Sequence, residues 1–184
     1  ALDLGRVVIG GWSGGSRGPM MLMGAKVRPT ANAPLFTNPH ARPVGAIFMT
    51  PAGPDWGGWY EDGDDNSWSE LRGPTFTGTG DNDVKPDKPD LIGDIRRASF
   101  PLQPADGTRL LLYSNLPRGV GGHDSFNLAD LGSADARLDR LARAIASVAR
   151  AFADAAADRD PNAVAWLASG RAEVLAGDVD RVRR

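Results

Sequence analysis

A serine flanked by glycines is the first candidate for chemistry. Ser13 lies in Gly11-Trp12-Ser13-Gly14-Gly15, which matches the pattern G-x-S-x-G and follows the β-branched run Val7 to Ile9. A sharp turn from a strand into a helix strains such a serine and lifts its hydroxyl above the sheet, and the flanking glycines avoid clashes. The pattern predicts a nucleophile at Ser13, with the N–H of Gly14 as a donor to an oxyanion. A glycine-rich turn that binds phosphate, or only packs, fits the pentapeptide about as well.

Histidine exchanges protons most readily near neutral pH, and the chain has two histidines. His123 follows Gly121-Gly122, in a loop beyond the apolar run Arg109 to Ser114, where the end of a strand is a common place for ligands. His40 follows Asn38-Pro39 in a polar connection and is interpreted as a surface residue. A lone histidine is more often structural than catalytic, but beside a nucleophilic serine His123 is predicted to be the general base.

A carboxylate is needed to orient that imidazole, and it should come from a strand end between the serine and the histidine. Asp81 directly follows the run Thr75 to Thr79 and is the preferred acid, with Asp83 as the reserve. Three other loop aspartates are expected to be solvated: Asp64, Asp65 and Asp124. The run Asp81-Asn82-Asp83 also allows a calcium-like site with oxygen ligands, but the calcium loop pattern is not completed, so no metal is expected.

Apolar runs without alternation, typical of strands covered on both faces, predict a parallel sheet. The strands are expected at Val7 to Ile9, Val44 to Met49, residues 74–79 and Arg109 to Ser114, with the first of them central. One α/β domain over residues 1–184 follows from this alternation. Ser13, Asp81 and His123 should then meet at one edge of the sheet, with the histidine between the other two.

Several helices are expected to cover this sheet. A short one is predicted over Pro19 to Ala25, and a crossover helix fits Leu91 to Ala98. Apolar residues three and four apart predict a long amphipathic helix after Ser133, and they are Leu138, Leu141, Ile145, Val148 and Phe152. Asp160-Pro161 predicts the start of another helix. A final short helix and a solvated basic tail, Arg181 to Arg184, complete the prediction.

Composition excludes several classes of partner. A net charge of -2, from 21 basic and 23 acidic residues, gives no extended positive surface for nucleic acid or anionic lipid. No apolar run approaches the roughly 20 residues that cross a bilayer, so a soluble chain without membrane partners is expected. The chain has no cysteine, which excludes disulfides and thiol catalysis but leaves the compartment open.

Aromatic residues are concentrated between residues 53 and 72. Trp56, Trp59, Tyr60 and Trp68 lie there among glycines and acidic residues. Together with Trp12, the side chains of Trp56 and Trp59 are predicted to wall an apolar substrate pocket. The equally weighted alternative is a covering loop that buries its tryptophans against the core.

Three of these segments resemble the catalytic segments of the α/β-hydrolases, and they are Val7 to Gly15, Gly78 to Asp81 and Gly121 to His123. The similarity is greatest to the dienelactone-hydrolase-like and polyester-esterase-like branch, whose helical ending resembles residues 152–156 and 163–167. The resemblance implies a serine esterase without a cofactor, acting on a small-molecule or polymer ester. Hydrolysis of amides or peptides by the same residues, and a non-catalytic binding subunit, remain alternatives.

The resemblance also implies that only the C-terminal portion of that fold is present. The family places about four strands, and a loop with a second oxyanion donor, before its nucleophile strand. Here the chain reaches that strand within a few residues of Ala1. We therefore expect a preceding segment, or a second chain, to pair along Val7 to Ile9.

Overall fold

Four parallel strands form the frame of the protein. The computed structural model describes residues 3, 5–28, 30, 33–40, 43–53, 67–84, 98–104, 109–116, 120–171 and 180–183. Its strands are β1 Val7–Trp12, β2 Pro43–Met49, β3 Thr75–Gly80, β4 Arg109–Ser114 and β5 Asp180–Arg183. They lie in the order β1-β2-β3-β4-β5, the first four parallel and β5 antiparallel to β4. The predicted α/β architecture is confirmed at this level.

In the described part of the chain, three helices and two short 3-10 turns accompany the sheet. The helices are α1 Arg17–Leu22, α2 Ala136–Asp158 and α3 Pro161–Ala168, and the 3-10 turns are Ser13–Ser16 and His123–Asn127. The Asp160 carboxylate accepts a hydrogen bond from the backbone of Asn162, so the predicted helix start at Asp160-Pro161 is confirmed. Asp135 caps α2 in the same way, and a hydrogen bond from the Arg137 side chain lowers the pKa of Asp135 to about 2.

Alternate residues of the strands face two different layers, as the two-residue period of a strand requires. On one face Phe76, Leu110 and Leu112 pack in one cluster with Leu141, Ile145, Val148 and Phe152 of the amphipathic helix α2. On the other face Ala46 and Phe48 pack with Met20, Met23 and Trp68. The sheet is therefore covered on both sides, which explains the nearly continuous apolar runs of β2 and β4.

The position of β1 differs from the prediction of a central strand. Among the described strands β1 pairs with β2 alone, so it lies at the edge of the sheet, and Val7, Val8 and Ile9 are only partly buried. The strand order simply follows the chain order, which leaves the first strand without a second neighbour.

The basic C-terminal tail contains a strand that the sequence analysis did not predict. Residues 180–183 form β5 along β4, because the backbone groups on the outer side of β4 need hydrogen-bond partners. Two predicted helices, most of residues 91–98 and the one directly before the tail, lie outside the described residues. No helix in the described part of the chain is long and apolar enough to span a bilayer.

Candidate active site

The turn from β1 into the following 3-10 turn forces Ser13 into an uncommon backbone conformation. Its φ of 54° lies in the left-handed region, which residues other than glycine seldom adopt. The fully buried hydroxyl of Ser16 lies 2.8 Å from the carbonyl oxygen of Gly11 and 3.3 Å from that of Met49, and donates to them. Through these hydrogen bonds Ser16 connects the strained turn to the carboxyl ends of β1 and β2. Sequence reasoning missed this residue, although it is a small polar side chain inside the glycine-rich turn.

A second strained residue follows the neighbouring strand. Thr50 directly after β2 has a φ of 47°, which is more unusual still for a β-branched side chain. It is fully buried, and its N–H donates to the carbonyl oxygen of Gly78 at 2.6 Å. Strained residues of this kind persist only where the surrounding structure holds them, and they cluster at functional sites. The ends of β1 and β2 thus carry two such residues side by side.

The two glycines that flank the serine turn are not equivalent. A Cβ on Gly11 would lie 2.3 Å from the carbonyl oxygen of Gly15, closer than any real contact, whereas a Cβ on Gly15 meets nothing within 4 Å. The expectation that both flanking glycines avoid clashes is therefore correct for Gly11 and wrong for Gly15. The turn folds back onto its first glycine, and the second faces open space.

His123 is paired with a buried carboxylate. Its Nδ1 lies 2.7 Å from Oδ1 of Asp83, a residue with no exposed surface, while a quarter of the histidine side chain (26%) is exposed. The second carboxylate oxygen of Asp83 accepts a hydrogen bond from the Thr79 hydroxyl at 2.8 Å. With Nδ1 bound to Asp83, Nε2 is the ring nitrogen left to accept a proton, which is the arrangement that a general base requires.

The partner of His123 is therefore Asp83, and the preferred assignment of Asp81 needs correction. A turn in which the N–H of Asp83 donates to the carbonyl oxygen of Gly80 brings Asp83 back towards the end of β3. Asp81 instead bonds β4, because its N–H donates to Ser114 and its carboxylate accepts from the Tyr113 hydroxyl at 2.6 Å. Asp81 and Asp83 are two residues apart in the turn after β3, and their carboxylates therefore bond different partners.

Asn82, between these two aspartates, holds the loop that leads to His123. Its amide nitrogen donates to the carbonyl oxygens of Leu116 at 3.0 Å and Val120 at 2.8 Å. The side chains of Asp81, Asn82 and Asp83 therefore bond different groups: the Tyr113 hydroxyl, two backbone carbonyl oxygens, and the pair Thr79 and His123. Sequence reasoning missed the role of Asn82, which depends on a contact 38 residues away.

Trp12 is the direct contact between the serine turn and the histidine. Its indole N–H donates to the backbone carbonyl oxygen of His123 at 3.1 Å, and the two rings lie 4.7 Å apart between centroids. The Ser13 hydroxyl makes no hydrogen bond to His123 in the described structure. Such contacts are often long without substrate and shorten when it binds. Gly14 lies in the first turn after Ser13, where backbone N–H groups have no acceptor within the helix.

The predicted aromatic pocket is only partly described. Trp56 and Trp59 lie outside the described residues, whereas Trp12 is 36% exposed and Trp68 is fully buried in the core. For Trp68 the interpretation as a covering residue is thus the correct one. Sequence reasoning missed an open cleft of about 370 Å³ beside Gly14, which is lined by the apolar Met21, Val27 and Phe36 and by Arg17 and Arg28.

His40 lies apart from these residues. Its N–H donates to the carbonyl oxygen of Leu22, and it lines a separate cleft with Pro43 and Gly73, near the amino ends of β2 and β3. Ser13, Asp83 and His123 follow the carboxyl ends of β1, β3 and β4, which is the opposite end of the parallel strands. Only one of the two histidines can therefore serve the serine.

No protein-family model matches the chain, and no protein of curated function is significantly similar to it. What this site can do therefore follows from its geometry. A strained serine, a histidine with one bound ring nitrogen and a buried carboxylate are the groups needed for attack by an activated hydroxyl.

The difference between the two glycines gives a first prediction. We expect Gly11→Ala to lower the free energy of unfolding by about 1–3 kcal/mol or more, because its methyl group meets rigid backbone. Gly15→Ala is the matched control and should leave that free energy nearly unchanged. Urea denaturation of both variants checks this, and an equally stable Gly11→Ala variant would contradict the tight turn.

The two aspartates give a second prediction. We expect Asp83→Asn to slow covalent labelling of Ser13 by a fluorophosphonate about 10⁴-fold, because an amide cannot hold the imidazole in the required tautomer. Asp81→Asn removes the same charge two residues away and should slow labelling no more than a few-fold. The measurement is the labelling rate by mass spectrometry, and a larger loss from Asp81→Asn would restore Asp81 as the acid.

Proposed function

We propose that this protein is a serine hydrolase of the α/β-hydrolase type that cleaves carboxylic esters through an acyl-serine intermediate. The observation that carries the proposal is the pairing of His123 with the buried Asp83 carboxylate beside the strained turn at Ser13. All three groups follow the carboxyl ends of parallel strands, the edge where sheets of this class bind their ligands.

In the proposed reaction His123 removes the proton from Ser13 as Oγ attacks the ester carbonyl carbon. The N–H of Gly14 donates to the oxyanion that forms on the carbonyl oxygen. His123 then gives the proton to the departing alcohol, and a water molecule, activated by the same imidazole, releases the acid and restores Ser13. Throughout, the Asp83 carboxylate holds the Nδ1–H and stabilises the imidazolium that forms in each half of the reaction.

We assign the cleft beside Gly14 to the acyl part of the substrate, and its lining favours an apolar acyl group. Met21, Val27 and Phe36 line it together with Arg17 and Arg28, and Phe36 is about half exposed (48%), so an apolar chain would cover a side chain that otherwise contacts water. An ester suits this machinery because an alcohol leaves a tetrahedral intermediate more readily than an amine.

The proposal includes a partner for β1, namely a further strand from a preceding segment or from a second chain. It is supported by the position of β1 at the edge of the described sheet and by the partial exposure of Val7, Val8 and Ile9, an apolar edge that proteins normally cover. We expect residues 1–184 expressed alone to self-associate or to lack full activity. Size-exclusion chromatography and an ester assay check this, and a monomeric, fully active product would contradict it.

The mechanism predicts that Ser13 and His123 act as one unit. In an active preparation Ser13→Ala and His123→Ala should each lower kcat for a p-nitrophenyl ester by roughly 10³ to 10⁶, and the double variant should be little worse than either. His40→Ala is the matched control, because it removes the other histidine from the far edge of the sheet and should leave kcat unchanged.

Two outcomes would contradict the proposed function. Multiplied losses in the double variant would show that the two residues act independently. A protein that neither hydrolyses esters nor reacts with a fluorophosphonate at Ser13, although circular dichroism shows it folded, would favour a binding subunit that keeps the fold without the reaction.

A further inference from the structure

Trp12 makes two contacts with His123 that a substrate wall alone does not need. Its indole N–H donates to the backbone carbonyl oxygen of His123 at 3.1 Å, and its ring lies against the imidazole with 4.7 Å between centroids and 38° between planes. One contact fixes the main chain of the histidine and the other restricts its side chain. The two residues are 111 positions apart in the chain, so the contact joins separate parts of the sheet edge.

We infer that Trp12 is a positioning residue. It is the neighbour of Ser13 in the chain and contacts His123, and it thereby sets the distance between the nucleophile and the base. The inference rests on the proposed function. In the described structure the Ser13 hydroxyl and the His123 imidazole share no hydrogen bond. Another contact must therefore fix the position of one side chain relative to the other. Trp12 is joined to Ser13 by a single peptide bond and to His123 by both contacts.

The two sides of the imidazole are thus held by different elements. Asp83, after β3, holds Nδ1, and Trp12, at the end of β1, contacts the ring and the main chain. Residues that follow or end two separate strands therefore restrain the imidazole from two sides.

The role predicts a loss in kcat that does not depend on the acyl chain. A displacement of about 1 Å in a reacting group can cost on the order of 100-fold in rate. We expect Trp12→Leu to lower kcat for p-nitrophenyl acetate and p-nitrophenyl octanoate by the same factor, about 10- to 100-fold, with little change in KM. Trp12→Phe keeps a ring but not the N–H donor, and should recover part of the loss for both esters.

The matched control is Trp166→Leu, the same substitution in α3, where the indole packs against the core on the α2 face. It should change kcat for either ester less than two-fold. A Trp12→Leu variant that raises KM for the octanoate and leaves acetate hydrolysis unchanged would overturn the inference, because Trp12 would then be only a wall for the acyl chain. Equal activity of Trp12→Leu and the unaltered protein would overturn it as well.

A measurement without substrate separates this inference from the proposed function. We expect the Nδ1 proton of His123, in its hydrogen bond to Asp83, to give a low-field NMR signal that Asp83→Asn removes and His40→Gln leaves in place. We expect the signal to be sharp in the unaltered protein and in Ser13→Ala, and to broaden or shift in Trp12→Leu. If the protein hydrolyses no ester the proposed function fails, but an unchanged signal in Trp12→Leu is the result that overturns the positioning role.

Discussion

The carboxylate of Asp83 is buried without any exposed surface, and this constraint organises the structure around it. A buried charge is tolerated only when its oxygens are hydrogen-bonded and a compensating group is near. Thr79 at the end of β3 satisfies one oxygen and His123 the other. The position of the histidine is thus tied to the stability of the sheet, since releasing the imidazole would leave a buried charge with one partner fewer.

The parallel arrangement explains why residues from distant parts of the chain meet at that carboxylate. In parallel strands all carboxyl ends lie at one edge, so the turns after β1, β3 and β4 are neighbours although residues 13, 83 and 123 are far apart in sequence. The packing of α2 on one face and of Met20, Met23 and Trp68 on the other holds the strands in this register. The parallel fold thus brings the three turns close together. The hydrogen bonds within each turn determine the direction in which its side chains point.

The turns are also where prediction from the sequence reached its limit. Strand positions follow from apolar runs without alternation and the long helix from side-chain periodicity, while the cap at Asp160 and the turn at Ser13 follow from local chemistry, so these were accessible. The choice between Asp81 and Asp83 depends on a hydrogen bond from the Asp83 N–H back to Gly80, and both residues have the same side chain. The pairing of β5 with β4 and the edge position of β1 depend on long-range contacts, which periodicity does not contain.

The strained backbone of Ser13 is stabilised by neighbouring residues of the same turn. A serine at a φ of 54° costs conformational free energy, and Ser16 offsets part of it by bonding the carbonyl groups at the ends of β1 and β2. A side chain on Gly11 would clash with the backbone of Gly15, so this compact turn requires glycine at that position. Trp12 directly precedes Ser13 and contacts His123, so one residue joins the serine turn to the histidine. In the proposed mechanism, the histidine would therefore begin the reaction already restrained by a buried carboxylate and by a residue of the serine turn.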